Sequence, residues 1–211
     1  MTALRRPALR YLGGKWKLAP WIVEQFPPHR VYVEPFGGAA SVLLRKPRAF
    51  AEIYNDLNVE VVNLFRVLRS DRAAELVRAL TLTPFARDEF AESYAAADDE
   101  VERARRLVVR SFMGFGSGAT FRRPTVFRSN SKASGRHNTA AEWAGYPDGL
   151  VAIIERLRGV VIENSDAIEV MRRSDRPDTL HYVDPPYVPT TRSPTARRAG
   201  AAIHSYDHEL T

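Results

Sequence analysis

Four short apolar runs, each closing on polar residues, constrain the fold of this chain more than any other feature. They are Val31-Tyr32-Val33 before Glu34, Ala49 to Tyr54 before Asn55-Asp56, Val160-Val161-Ile162-Glu163 before Asn164-Ser165-Asp166, and Thr179 to Val183 before Asp184. Each is rich in β-branched or aromatic residues and has the length of a strand rather than a helix. Between them lie segments of helical periodicity, the clearest with apolar residues at 57, 61, 64, 65 and 68. Strands alternating with helices predict an α/β fold with a parallel sheet. In a parallel sheet all four strand ends share one edge, so Glu34, Asp56, Asp166 and Asp184 are expected to gather there. That edge is where ligands bind in open α/β sheets.

The last run leads into Asp184-Pro185-Pro186-Tyr187. Neither proline can donate to a sheet ladder, so the strand must stop. The residue before each proline is also pushed to an extended conformation, which stiffens the segment. A carboxylate, a carbonyl and an aromatic ring are thereby held at the strand end. The plainer interpretation is a rigid turn with a buried tyrosine.

Val31 to Val33 runs into Glu34-Pro35-Phe36-Gly37-Gly38-Ala39-Ala40, and a helix is expected from Ser41. Gly37 and Gly38 allow a backbone to approach a ligand closely, and a helix start offers free N–H groups. The spacing is neither the dinucleotide fingerprint nor a P-loop. Asp56 stands about 20 residues beyond this loop, where α/β nucleotide binders hold ribose hydroxyls. It is equally placed to cap the helix that follows. Upstream, Tyr11-Leu12-Gly13-Gly14-Lys15 reads as a tight turn, with a helix from Lys15 to about Phe26 ended by Pro27-Pro28.

From Asp71 to Arg110 the pattern is helical, with helices expected over 75–80, 85–94 and 99–112. The arginines at 103, 105, 106 and 110 are expected mostly on a solvated face. Residues 112 to 146 lack periodicity. Arg122, Arg123, Arg128, Lys132 and Arg136 alternate there with Phe115, Phe121, Phe127, Trp143 and Tyr146. A loop or ribbon of this make-up can follow a phosphate backbone and reach into a groove. Regular structure is expected again as a helix from Leu150 to Leu157, ended by Gly159.

The net charge of +6 over 211 residues favours an acidic partner, nucleic acid first, although an arginine-rich composition alone could produce it. The absence of cysteine excludes disulfides and cysteine-ligated zinc, and fits a cytoplasmic location. No stretch is apolar enough to span a membrane.

Taken in order, three motifs resemble those of the Dam-like N6-adenine DNA methyltransferases. Tyr11-Leu12-Gly13-Gly14-Lys15 resembles their N-terminal cofactor motif, with Tyr11 where tryptophan is usual. Glu34-Pro35-Phe36-Gly37-Gly38-Ala39 resembles their glycine loop, and Asp184-Pro185-Pro186-Tyr187 matches their catalytic motif unchanged. The resemblance spans roughly residues 9 to 192. It implies a Rossmann-like sheet with helices on both faces, built from residues 1–70 and 148–211. A target-recognition subdomain over 71–147 would be inserted in it. Family members continue past the catalytic motif with further strands, so the resemblance also implies a sheet short of its C-terminal strands.

The implied reaction is transfer of a methyl group from S-adenosylmethionine to adenine N6 in double-stranded DNA, on a flipped-out base and without a metal. The implied roles follow the motifs. Asp184 and the carbonyl of Pro185 or Pro186 would accept hydrogen bonds from the amino group, and Tyr187 would stack on the base. Asp56 would bind the cofactor ribose and Asp166 its adenine, with Tyr11, Lys15, Glu34, Pro35, Phe36, Gly37, Gly38 and also Asp184 holding the remainder. Two alternatives stay open at this point: the same chemistry on cytosine N4 or RNA, and a non-catalytic nucleic-acid-binding remnant.

Overall fold

The computed structural model describes residues 4, 6–116, 125–129 and 138–186. Four parallel strands form one sheet: β1 (Val31–Glu34), β2 (Ala51–Asn55), β3 (Val160–Glu163) and β4 (Thr179–His181). Their order is β3-β2-β1-β4. In register, Val33 lies opposite both Ile53 and His181, and Glu34 opposite Tyr54. The chain therefore moves outward in one direction from β1 to β2 and β3, then crosses back to place β4 on the other side. The join between β1 and β4 is a topological switch point, the place where such sheets open a crevice.

Strand side chains alternate between faces. Tyr32, Glu34, Glu52 and Tyr54 share one face and are buried; Tyr32 and Tyr54 join the main apolar cluster. Burying Glu52 there requires partners. Lys46 Nζ donates to its Oε1 at 2.7 Å, and Arg156 Nη1 to its Oε2 at 2.6 Å. Arg156 also reaches the Leu43 carbonyl at 2.6 Å, so one buried ion cluster ties together the segment after α2 (Ser41–Arg45), β2 and the later helix that carries Arg156. Burial opposes the charge on Glu52, but the bonds from Arg156 and Lys46 outweigh it and hold the carboxyl below its ordinary range. Burial pushes the Lys46 ammonium down, against the pull of Glu52.

Helices flank the sheet. Regular α1 spans Ala19–Glu24, starting later than the pattern suggested. Pro20 has no N–H and would meet the carbonyl of residue 16 inside a longer helix, so it must sit in a first turn. The helix after β2, α3 (Val59–Val67), is capped by Asn58, whose Oδ1 accepts from Glu60 and Val61 N–H. Asp56 is thus not the cap. Next come α4 (Ala73–Leu82), α5 (Arg87–Glu92) and α6 (Glu100–Met113), the last capped by Asp99.

The α6 arginines do not lie on a solvated face. Arg103 pairs with Glu60, Arg105 with Glu102 and Glu89, and Arg106 with Glu102. Arg110 is buried and donates to the Ser93 carbonyl. Each arginine meets a partner brought by another helix or by the preceding turn of its own, which local periodicity does not encode.

The segment read as an aperiodic loop also corrects in part. Residues 113–115 and 126–128 run antiparallel, with Phe115 N–H bonded to the Val126 carbonyl and Arg128 N–H to that of Met113. Thereafter α7 (Thr139–Ala144) forms, and α8 (Tyr146–Arg156) begins four residues before Leu150. Pro147 is tolerated because it occupies the first turn. Trp143 and Tyr146 are core residues rather than surface aromatics. Trp143 Nε1 donates to the Thr83 carbonyl, and the Tyr146 hydroxyl to that of Ala8, both at 2.7 Å. Phe127 packs against Phe85 and Phe90. The buried aliphatic and aromatic side chains of α4 to α8 belong to the same apolar cluster as Tyr32 and Tyr54. After Gly159, at φ +80°, β3 follows, then α9 (Ala167–Ser174) and β4. Among the described residues, no helix is long and apolar enough to cross a membrane.

Candidate active site

A cleft opens over the carboxyl ends of β1 and β4, with about 950 Å³ of space counted out to solvent. Its floor is the turn after β1. The Gly37 N–H bonds the Asn55 carbonyl at 2.7 Å, pressing the turn onto β2. A Cβ at Gly37 would stand 2.1 Å from the Tyr54 ring, so no larger residue fits. Gly38 adopts φ +47°, and its carbonyl accepts from the Tyr54 hydroxyl at 2.7 Å. A Cβ there would meet the Tyr11 ring at 2.9 Å.

That ring belongs to the roof, residues 11–15. The Gly14 N–H closes a turn on the Tyr11 carbonyl, with Gly13 at φ +76°. Just before this turn the chain is anchored from both sides. The Arg10 N–H donates to Ser111 Oγ, and Arg6 donates to the Glu142 carbonyl.

Three of the four expected acids line the cleft: Glu34, Asp56 and Asp184. Lys15 Nζ donates to Asp184 Oδ2 at 2.6 Å and to the Gly13 carbonyl at 2.9 Å, joining roof to β4. Asp56 Oδ2 accepts from Gly38 N–H at 2.7 Å, and its Oδ1 from Asn58 N–H at 2.8 Å. Glu34 is only 3% exposed. Its Oε2 accepts from the Tyr32 hydroxyl and from Leu43 N–H, each at 2.9 Å. An N–H of the helix start is therefore taken by this acid rather than left for a ligand. Burial pushes the Glu34 carboxyl up to about 8, opposed by these two bonds and reinforced by the charge of Asp184.

Tyr11, Lys15, Pro35, Phe36, Gly37, Gly38, Pro185 and Pro186 line the same cleft. Asp166 stands at the end of β3 outside this lining, where its Oδ1 caps α9 through Ile168 and Glu169 N–H. Tyr187, Arg122, Arg123, Lys132 and Arg136 lie outside the described residues. Arg128 lines a shallower groove beside the cleft, together with Arg10, Trp16, Lys17 and Phe115.

Two contributors escaped the sequence reading. Asn55 is fully buried and stitches three strand ends: its Nδ2 donates to the Pro35 and Ser165 carbonyls, and its Oδ1 accepts from Ser165 N–H. An asparagine directly before the strand-end acid was the available signal. Ser41 lines the cleft with a hydroxyl that has no hydrogen-bond partner, and nothing local marks it.

A family model for the D12 class of N6 adenine-specific DNA methyltransferases matches residues 11–210. The chain belongs to this family. Among curated proteins, this methyltransferase is 25% identical to a DNA adenine methylase of Salmonella typhi, over 98% of its own length and 72% of the relative's. The DNA adenine methylase of Salmonella typhimurium strain LT2 matches to the same extent. The present chain is also 33% identical over 73 residues to the modification methylase StsI of Streptococcus sanguinis, covering 34% of its own length and 11% of that protein's. The methyltransferase is accordingly adenine-specific and acts on DNA with a methyl donor, and its parallel sheet flanked by helices is the Rossmann-like arrangement that the motifs implied.

Proposed function

We propose that the cleft binds S-adenosylmethionine and that Asp184 is the catalytic acceptor for adenine N6 in double-stranded DNA. The observation that carries this reading is the convergence of Lys15, Glu34, Asp56 and Asp184 at the β1–β4 switch point. The residues suit the cofactor. Gly37 and Gly38 leave space that a Cβ would fill, Asp56 offers a carboxylate to a diol, and Ser41 carries an unmet buried hydroxyl. When bound, S-adenosylmethionine supplies a methyl group on a sulfonium, which departs as the neutral thioether once nitrogen has taken the carbon.

The protein's own groups deal with the nucleophile. Adenine N6 is weak because its lone pair is delocalised into the ring. Asp184 accepts one hydrogen bond from the amino group, and the carbonyl of Pro185 or Pro186 accepts another. Together they draw the nitrogen toward tetrahedral geometry and stabilise its growing positive charge. The extra proton on nitrogen then leaves along these bonds to solvent. Lys15 holds the Asp184 carboxylate in place through its 2.6 Å bond, so positioning supplies part of the rate. Tyr187 takes the stacking role that the family motif gives it, and Asp166 the contact to the cofactor adenine. Residues 71–147 form the target-recognition unit, built on a core shared with the sheet. Arg128 contacts the DNA backbone from its ribbon, and Arg122, Arg123, Lys132 and Arg136 serve DNA binding by their charge.

The test is Asp184→Ala assayed for N6-methyladenine in duplex DNA by mass spectrometry, alongside calorimetric titration with S-adenosylmethionine. Methylation should vanish while most of the cofactor affinity persists. Undiminished methylation would remove Asp184 from the catalytic role.

A further inference from the structure

Ser41 opens α2 and is 5% exposed, yet its Oγ has no hydrogen-bond partner. Buried hydroxyls are paired in nearly all folded proteins, and one left unmet is held at a cost. This one lines the cleft and also the shallower groove beside it, at the partition formed by Tyr11 and Gly14. A Cβ built on Gly14 would come 3.8 Å from Ser41 Oγ, so the roof presents bare backbone to the hydroxyl. The hydroxyl is thus set to meet something that enters the cleft.

What enters can be argued from the sheet, on the reading given above that the cleft takes S-adenosylmethionine. The sulfonium sulfur carries three arms. The methyl must point to Asp184 on the β4 side, and the adenosine must run to Asp56 on the β2 side. The amino-acid arm takes the third direction, between roof and α2, where Ser41 stands. That arm ends in a carboxylate, an acceptor that a hydroxyl can serve. The nearby Glu34 does not oppose an anion at neutral pH, because burial raises its carboxyl to about 8 and keeps it protonated. Lys15, next to Gly14 in the roof, favours one. We propose that Ser41 is a cofactor-binding residue whose Oγ–H donates a hydrogen bond to the carboxylate of the S-adenosylmethionine amino-acid arm.

The experiment is calorimetric titration of the full chain with S-adenosylmethionine and with its decarboxylated analogue, using wild type, Ser41→Ala and Asp56→Ala. A hydrogen bond to a charged acceptor predicts that Ser41→Ala weakens S-adenosylmethionine about tenfold. The same variant should bind the decarboxylated analogue within about twofold of wild type. Asp56→Ala should weaken both ligands alike. Thermal unfolding should show Ser41→Ala at least as stable as wild type, because it removes an unmet polar group. Unchanged S-adenosylmethionine affinity in Ser41→Ala, or equal losses for both ligands, overturns the assignment while leaving the cofactor reading intact. A folded wild type that binds neither ligand overturns both.

Discussion

Glu34→Gln separates the burial of a proton from every other effect in the cleft. Burial raises this carboxyl from 4.5 to about 8, with Tyr32 and Leu43 pulling it down and Asp184 pushing it further up. The bonds from Tyr32 and Leu43 both end on Oε2, so Oε1 is left to carry the proton. Because the folded value lies above the unfolded one, the native chain keeps a proton that the unfolded chain gives up. The stability from this group is complete below about pH 4, declines as pH rises, and is gone above about pH 8. At ~1.4 kcal/mol per pH unit, the loss across that window is on the order of 4–5 kcal/mol. That is a large part of the 5–15 kcal/mol, roughly, that holds a domain together. Glutamine keeps an acceptor for the Tyr32 and Leu43 donors but cannot titrate. Urea unfolding at intervals from pH 5 to pH 9 should show the two proteins alike near pH 5, with the variant increasingly the more stable above it. Other groups contribute equally to both curves and cancel in the difference. A difference between the curves that stays constant with pH would refute the reasoning.

Four further outcomes are expected. Gly37→Ala forces a methyl to 2.1 Å from the Tyr54 ring and should cost about 1–3 kcal/mol in urea unfolding, the usual range for overpacking. Asp56→Ala removes the acceptor of the Gly38 and Asn58 N–H groups; it should cost about 1–3 kcal/mol in the same assay and weaken cofactor binding at least tenfold by calorimetry. Glu52→Ala leaves Lys46 and Arg156 buried without their shared carboxylate and should cost about 3–5 kcal/mol, measured by thermal and urea unfolding. Arg128→Ala should weaken DNA binding to all sequences alike and reduce the salt slope of affinity by about one, read by fluorescence anisotropy across a salt series.

The strands were legible because β-branched runs with abrupt polar endings leave few alternatives, and their sharing of one edge follows from parallel pairing. The cleft was legible for the same reason: Glu34, Asp56 and Asp184 are strand-end residues, and strand ends are placed by topology. What could not be read depends on partners remote in sequence. Trp143 resembles a surface aromatic until Thr83 supplies its acceptor, and Tyr146 until Ala8 does. The α6 arginines look solvated until Glu60 and Glu89 arrive from other helices. Asp56 was the expected cap of the helix after β2, and only the backbone path there gives that place to Asn58. Ser41 is invisible in sequence because its distinguishing property is the lack of a contact.

The fastening of the roof has a consequence for how this enzyme comes into being. Lys15 and Asp184 are 169 positions apart, Tyr146 and Ala8 are 138 apart, and Arg6 and Glu142 are 136 apart. Contacts between positions so distant form slowly, because the intervening chain must first give up its freedom. At typical elongation rates Asp184 leaves the ribosome on the order of ten seconds or more after Lys15. Helices α3 and α6 can meet well before then, but the roof has no β4 to close on. The Lys15–Asp184 bond that joins roof and sheet therefore forms only after the whole stretch between them has been made, however early α3 and α6 have packed.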